Sequence, residues 1–227
     1  MTPASLSPYY AFRRRFQAVV LAMATLFSAS ARAEPARILA FGDSLTAGAG
    51  IAAEDSLPAQ LKQRLAADGY DVEVIQAGVS GDTTTTGLAR LDYTLSAGPV
   101  DIALVELGAN DMLNGHDPKV TRANLDQILG TLKQKGVRPV LTAMVSSTNR
   151  GQAYKKDFDS IYTDLAAKYQ VPLVPFILEG VWGSPALLIS DGVHPNAAGV
   201  AKIVKKIAPY VEKTLASMGA RKTSRAQ

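Results

Sequence analysis

Apolar residues along this 227-residue chain fall into two kinds of segment, and the two kinds alternate. Short, nearly continuous apolar runs cover 37–41, 72–75, 102–107, 139–145 and 171–176. The first three lead into Gly42, Gly78 and Gly108. Runs of this length bounded by turn residues predict buried strands. Between them the apolar positions recur at helical spacing. Leu57, Leu61 and Leu65 mark one helix, closed by Gly69, and the threonine run 83–86 begins another with Asp82 as its cap. Asp117-Pro118 opens a third that carries Val120, Leu125, Ile128 and Leu132 and stops at Gly136. A fourth spans 152–169 with Phe158, Ile161, Tyr162 and Leu165 on one face, and a last one runs from 196 to about 218. Prolines at 172 and 175 place the fifth strand at a sheet edge. Alternating strands and helices, with strands apolar on both faces, predict an α/β fold: one parallel sheet covered by helices on each side.

In such a sheet ligands bind beyond the carboxyl ends of the strands. Three polar blocks sit there, Gly42-Asp43-Ser44-Leu45, Gly78-Val79-Ser80-Gly81-Asp82 and Gly108-Ala109-Asn110-Asp111. A fourth, Asp191-Gly192-Val193-His194-Pro195, precedes the last helix. The first and last supply a serine, a histidine and a carboxylate; the middle two supply a glycine N–H and an asparagine amide. These are parts for attacking a carbonyl and holding the resulting oxyanion. A serine needs a base, and the chain has two histidines, His116 and His194. His194 follows Asp191 by three residues, so a turn brings the carboxylate to the imidazole and sets its tautomer. His116 lies in a polar loop, where its best functional role is to line a cleft. Ser80 competes with Ser44, but Asp82 breaks the G-x-S-x-G pattern.

Each residue also has a plain structural reading. Ser44 would cap a helix, Gly81 serve a turn, and Asn110 close an Asx turn. Asp43 and Asp111 fit loop-tying hydrogen bonds better than chemistry. A metal-dependent hydrolase built on Asp43, Asp111, Asp191 and His194 is the rival mechanism. It lacks any H-E-x-x-H or cysteine spacing, so no metal and no cofactor is expected.

These blocks resemble those of the GDSL or SGNH hydrolases, with Ser44, Gly81, Asn110 and His194 as the name-giving residues and Asp191 as the carboxylate. The stretches 77–84, 171–176 and 194–199 are similar to the bacterial thioesterase I/arylesterase/lysophospholipase branch. The resemblance implies a three-layer α/β/α flavodoxin-like sandwich whose five-stranded parallel sheet has the order 2-1-3-4-5. It also implies an oxyanion hole from the Ser44 and Gly81 N–H groups and the Asn110 side chain, and small-molecule acyl ester or thioester substrates. A carbohydrate O-deacetylase of the same fold, or an inert periplasmic binding protein, are the alternatives. Two segments depart from the branch: Ala109 followed by Met112-Leu113, and the polar stretch 144–151. Both border the expected cleft.

Arg13-Arg14-Arg15, an apolar stretch from Phe16 to about Phe27 and Ala31-Arg32-Ala33 together read as a cleaved signal peptide over 1–33. An uncleaved anchor or a twin-arginine signal are the other readings, and Phe12 disfavours the latter. The apolar run is shorter than the ~20 residues of a membrane span. One hydrolase domain over 34–227 and a periplasmic or secreted location follow. The net charge of +4 belongs to the leader: residues 1–33 hold four arginines, leaving 20 basic and 20 acidic residues. A neutral mature chain gives no reason to expect nucleic acid as a partner. Arg221, Lys222 and Arg225 read as a solvated tail. With no cysteine, disulfides, thiolate metal sites and a lipoprotein anchor are excluded. A monomer is the favoured state.

Overall fold

The computed structural model describes residues 34–220 and 222; the expected signal peptide and most of the basic tail lie outside them. Five parallel strands form one sheet: β1 (Ala36–Gly42), β2 (Val72–Gly78), β3 (Ile102–Glu106), β4 (Arg138–Thr142) and β5 (Leu173–Val174). Their order is β2-β1-β3-β4-β5, as the family resemblance implies. The helices are α1 (Ser44–Ala47), α2 (Leu57–Ala67), α3 (Thr84–Ser96), α4 (Ala109–Asn114), α5 (Pro118–Gln134), α6 (Gln152–Tyr169) and α7 (Ala197–Ser217). Helices α2 and α7 pack together, and α5 packs against both α3 and α6. The sheet thus lies between two helical layers. Ile38, Phe41, Ile102, Leu104, Val140 and Leu141 of the strands are completely buried.

The strands differ from their predicted extents where backbone donors run out. The fifth was expected over 171–176, but Pro172 and Pro175 lack the N–H that pairing needs, so only Leu173 and Val174 remain. It stands at the sheet edge, as expected. The fourth ends at Thr142, three residues early, because its partner strand has stopped. Helix α3 is capped by Thr83, not Asp82. Thr83 accepts from the Thr86 N–H and Thr86 Oγ1 accepts from the Thr83 N–H, a reciprocal box. Asp82 is left free to pair with Arg90 at 2.6 Å. Likewise Asp43, not Ser44, caps α1, and Ser44 is its first residue.

What matters for function is where the strands stop. Gly42 aligns with Gly78 on one side and with Glu106 on the other, so β1, β2 and β3 end level. Ser44, Gly81 and Asn110 leave the sheet within four residues of that line. Gly78 is required there by contact. A Cβ on it would stand 2.4 Å from the Ala47 nitrogen and 2.8 Å from the Thr46 carbonyl carbon, both backbone atoms of the Ser44 helix. Gly78→Ala is therefore expected to lower stability by about 1–3 kcal/mol through overpacking, measured as a drop in the urea midpoint at constant slope.

Candidate active site

The loop before α7 is shaped by hydrogen bonds that begin with one carboxylate. Asp191 Oδ1 accepts from the N–H groups of Val193 (2.8 Å) and His194 (3.0 Å), closing a tight turn around Gly192, whose φ is +70°. The turn brings Asp191 Oδ2 to 2.6 Å from His194 Nδ1. An antiparallel bridge between Leu188 and Pro195 fixes the loop, and Asn196 caps α7 through the Gly199 N–H. His194 Nε2 then lies 2.9 Å from Ser44 Oγ, across 150 residues of sequence. Three of the candidate residues are thereby joined in a chain. The His194 hydrogen bond, aided by the two backbone donors, pulls the Asp191 carboxyl down to about 2, so it is ionised throughout the neutral range.

The other two candidates close the opposite side. Asn110 is the second residue of α4, a helix that follows Gly108 at φ +114°. Its Nδ2 donates to the Asp82 carbonyl at 2.8 Å and to Asp43 Oδ2 at 3.2 Å. Those bonds bring it to the segment that carries Gly81, which is exposed and has φ +87°. The N–H groups of Gly81 and Ser44 find no backbone acceptor among the described residues. Asp111, fully buried, accepts from the Thr84 N–H and from the hydroxyls of Thr84 and Thr121, tying α3, α4 and α5 together. Asp43 accepts from the Leu45 N–H at 3.0 Å. Both aspartates are loop ties, as expected.

The arrangement can be compared with known proteins. Residues 40–202 match the model of the GDSL-like lipase/acylhydrolase family. The chain belongs to that family. An arylesterase of Vibrio mimicus is 38% identical over 197 residues, covering 86% of this chain and 98% of the relative. The thioesterase 1/protease 1/lysophospholipase L1 of Escherichia coli K12 is 39% identical over 159 residues, 70% of this chain and 75% of the relative. The crystal structure of AlinE4, an SGNH-hydrolase family esterase, superposes with a TM-score of 0.69 at 43% identity, covering 82% of this chain and 99% of that one.

Within this family member, His116 makes no hydrogen bond to Ser44 among the described residues. It lies 3.9 Å from Asp111 and its carbonyl accepts from the Tyr154 hydroxyl. Among the described residues no three His, Cys, Asp or Glu side chains form a group able to hold a metal, and no helix is long and apolar enough to cross a membrane. Ser80 is exposed and makes no side-chain hydrogen bond among the described residues.

Two residues escaped the reading of the sequence. Arg90 of α3 bonds Asp82, donates to the Gly42 carbonyl at 3.1 Å and lies 4.2 Å from the centre of the Phe41 ring. It clamps the Gly81 loop to the end of β1, and no pattern in α3 announces it. Glu106 is completely buried and accepts from the Asp43 N–H and the Thr46 hydroxyl. Its signal was present: a lone carboxylate inside an otherwise apolar strand.

Proposed function

We propose that the protein is an exported serine esterase that hydrolyses carboxylic esters and thioesters of acyl chains through an acyl-enzyme. The observation that carries this reading is the unbroken Asp191–His194–Ser44 chain, with spacings of 2.6 and 2.9 Å. Ser44 Oγ attacks the acyl carbonyl while His194 Nε2 takes its proton, and ionised Asp191 holds Nδ1–H and stabilises the imidazolium. The oxyanion rests on the Ser44 and Gly81 N–H groups and on Asn110. Of the two Asn110 contacts, the longer one to Asp43 is the weaker, and it is the one an oxyanion draws away. His194 then protonates the leaving group and activates water for deacylation.

An acyl substrate fits the surroundings. Val79 and Val145 are exposed on the loops beyond β2 and β4, Leu113 near the end of α4 and Val193 beside His194, an apolar rim on the carboxyl edge. The two departures from the branch meet on that rim: Arg150 donates to the Leu113 carbonyl at 2.6 Å. These loops are where chain length is chosen. Export rests on the leader over 1–33, with the mature enzyme spanning 34–227 and acting in the periplasm or outside the cell.

The test is a panel of aryl esters of increasing acyl length, run beside acyl-CoA, a lysophospholipid and acetylated sugars. Turnover of acyl esters or thioesters is expected; turnover confined to acetylated sugars would replace the reading with a deacetylase. In the same assay Asn110→Ala is expected to lower kcat about 10²–10³-fold with a smaller change in KM, the loss typical of one oxyanion donor.

A further inference from the structure

Beneath Ser44 lies a buried pair of acids that the reaction above does not use. Glu106 has no exposed surface and Asp43 is 1% exposed. Glu106 Oε2 accepts from the Asp43 N–H at 3.2 Å and from Thr46 Oγ1 at 2.8 Å. Asp43 Oδ1 accepts from the Leu45 N–H and Oδ2 from Asn110. One oxygen of the four is different. Glu106 Oε1 is buried and meets no donor among the described residues, and the Glu106 and Asp43 carboxyl groups lie within hydrogen-bonding reach of each other. A carboxylate oxygen only accepts, so two ionised groups would face each other there with nothing between them. A carboxylic acid supplies the missing hydrogen.

We propose that Glu106 is a protonated acid that donates its carboxyl hydrogen to ionised Asp43, and that this bond makes Glu106 a positioning residue for Ser44 and Asn110. The proposal rests on the roles given above to those two residues. Through Asp43 the bond reaches both: Asp43 caps the helix that begins at Ser44 and accepts from the Asn110 amide. The charges around the pair agree with one proton. Burial and the Asp43 charge push the Glu106 carboxyl well above the usual range, and burial raises Asp43 to about 6. Facing Asp43 are His194, which favours its charge, and Asp82, which opposes it. Arg90 reaches the neighbouring Gly42 carbonyl, and the buried Tyr162 hydroxyl, bonded to the Leu107 carbonyl, stays neutral.

Glu106→Gln and Glu106→Leu separate the possibilities. Glutamine keeps an acceptor for Thr46 and Asp43 N–H and carries a hydrogen where the acid has one. Its kcat is expected to stay near that of the wild type at pH 7. Leucine offers neither, and kcat is expected to fall roughly 100-fold with KM far less affected, the size of loss that slight misplacement causes. Urea unfolding of the full chain reads the proton without any ester. Above about pH 6 the folded wild type holds a proton that its unfolded chain has released, and E106Q does not. The ratio of wild-type to E106Q unfolding constants is therefore expected to rise as the pH is raised above about 6, with a slope approaching tenfold per pH unit. A flat ratio, or a loss in E106Q equal to that in E106L, would overturn the proposal. Should E106L not fold, the ratio and the infrared spectrum decide: a carboxylic C=O band at pH 7 that vanishes in E106Q supports it, and no such band overturns it. The unfolding ratio and the infrared band do not depend on Ser44, whose role is tested separately by its own substitution.

Discussion

Replacing Ser44 by alanine is expected to remove esterase turnover almost entirely, with kcat falling about a millionfold. The argument starts from what the substitution leaves in place. Ser44 is half-buried at the start of a helix that Asp43 caps, and among the described residues its hydroxyl has one hydrogen-bond partner, His194 Nε2 at 2.9 Å. Alanine keeps the backbone N–H, the helix and the packing, so unfolding curves and KM should change little. What disappears is the hydroxyl that His194 Nε2 contacts, the proposed nucleophile. His194 and Asp191 remain but have no oxygen to deprotonate except water. The residual rate is then that of a site that binds the ester and stabilises its oxyanion without an acyl-enzyme. A serine-reactive phosphonate should label the wild type once and S44A not at all, with Ser80→Ala labelled as the wild type is. Retention of full turnover in S44A would sink the assignment of the nucleophile.

How far the molecule could be read from its residues depends on the range of the forces involved. Strand identity and the parallel sheet were legible because a strand buried on both faces must be apolar along its whole length. The level ending of the first three strands was legible because each chain exit needs a turn, and a glycine follows each of the three apolar runs. The pairing of Asp191 with His194 was legible because three residues can close within one turn. Errors arose where a local signal had two uses. Asp82 and Thr83 are both good caps, and what decided between them was Arg90, eight residues on, which draws the Asp82 carboxylate away. Ser44 and Asp43 posed the same choice, settled because Asp43 can accept from the Leu45 N–H. Glu106 was visible, but its role was not, for another reason. In sequence it is one charge in an apolar strand; its meaning comes from Asp43, 63 residues earlier and brought beside it only by the β1–β3 register.

The Asp191–His194 hydrogen bond makes the second strong prediction. Asp191→Asn is expected to lower kcat by about 10⁴ while leaving KM and stability nearly unchanged. Asparagine has the shape of aspartate but only one accepting oxygen. In the wild type, Oδ1 is occupied by the Val193 and His194 N–H groups and Oδ2 by the imidazole. Asparagine satisfies the two backbone donors with its carbonyl oxygen, which turns its NH₂ toward His194 Nδ1. Nδ1 must then accept, so the ring proton moves to Nε2, the nitrogen that faces Ser44 at 2.9 Å. That nitrogen can no longer take the serine proton, although every heavy atom is in place. The turn stays closed, which is why the fold survives and the loss falls on kcat. In the wild type the carboxyl sits near 2, so activity lost on acidification toward pH 4 does not come from Asp191. Measuring kcat and KM of D191N on one aryl ester decides the point. A variant within threefold of the wild type in kcat would mean that His194 keeps its tautomer without Asp191, and the carboxylate would then be a turn-former alone.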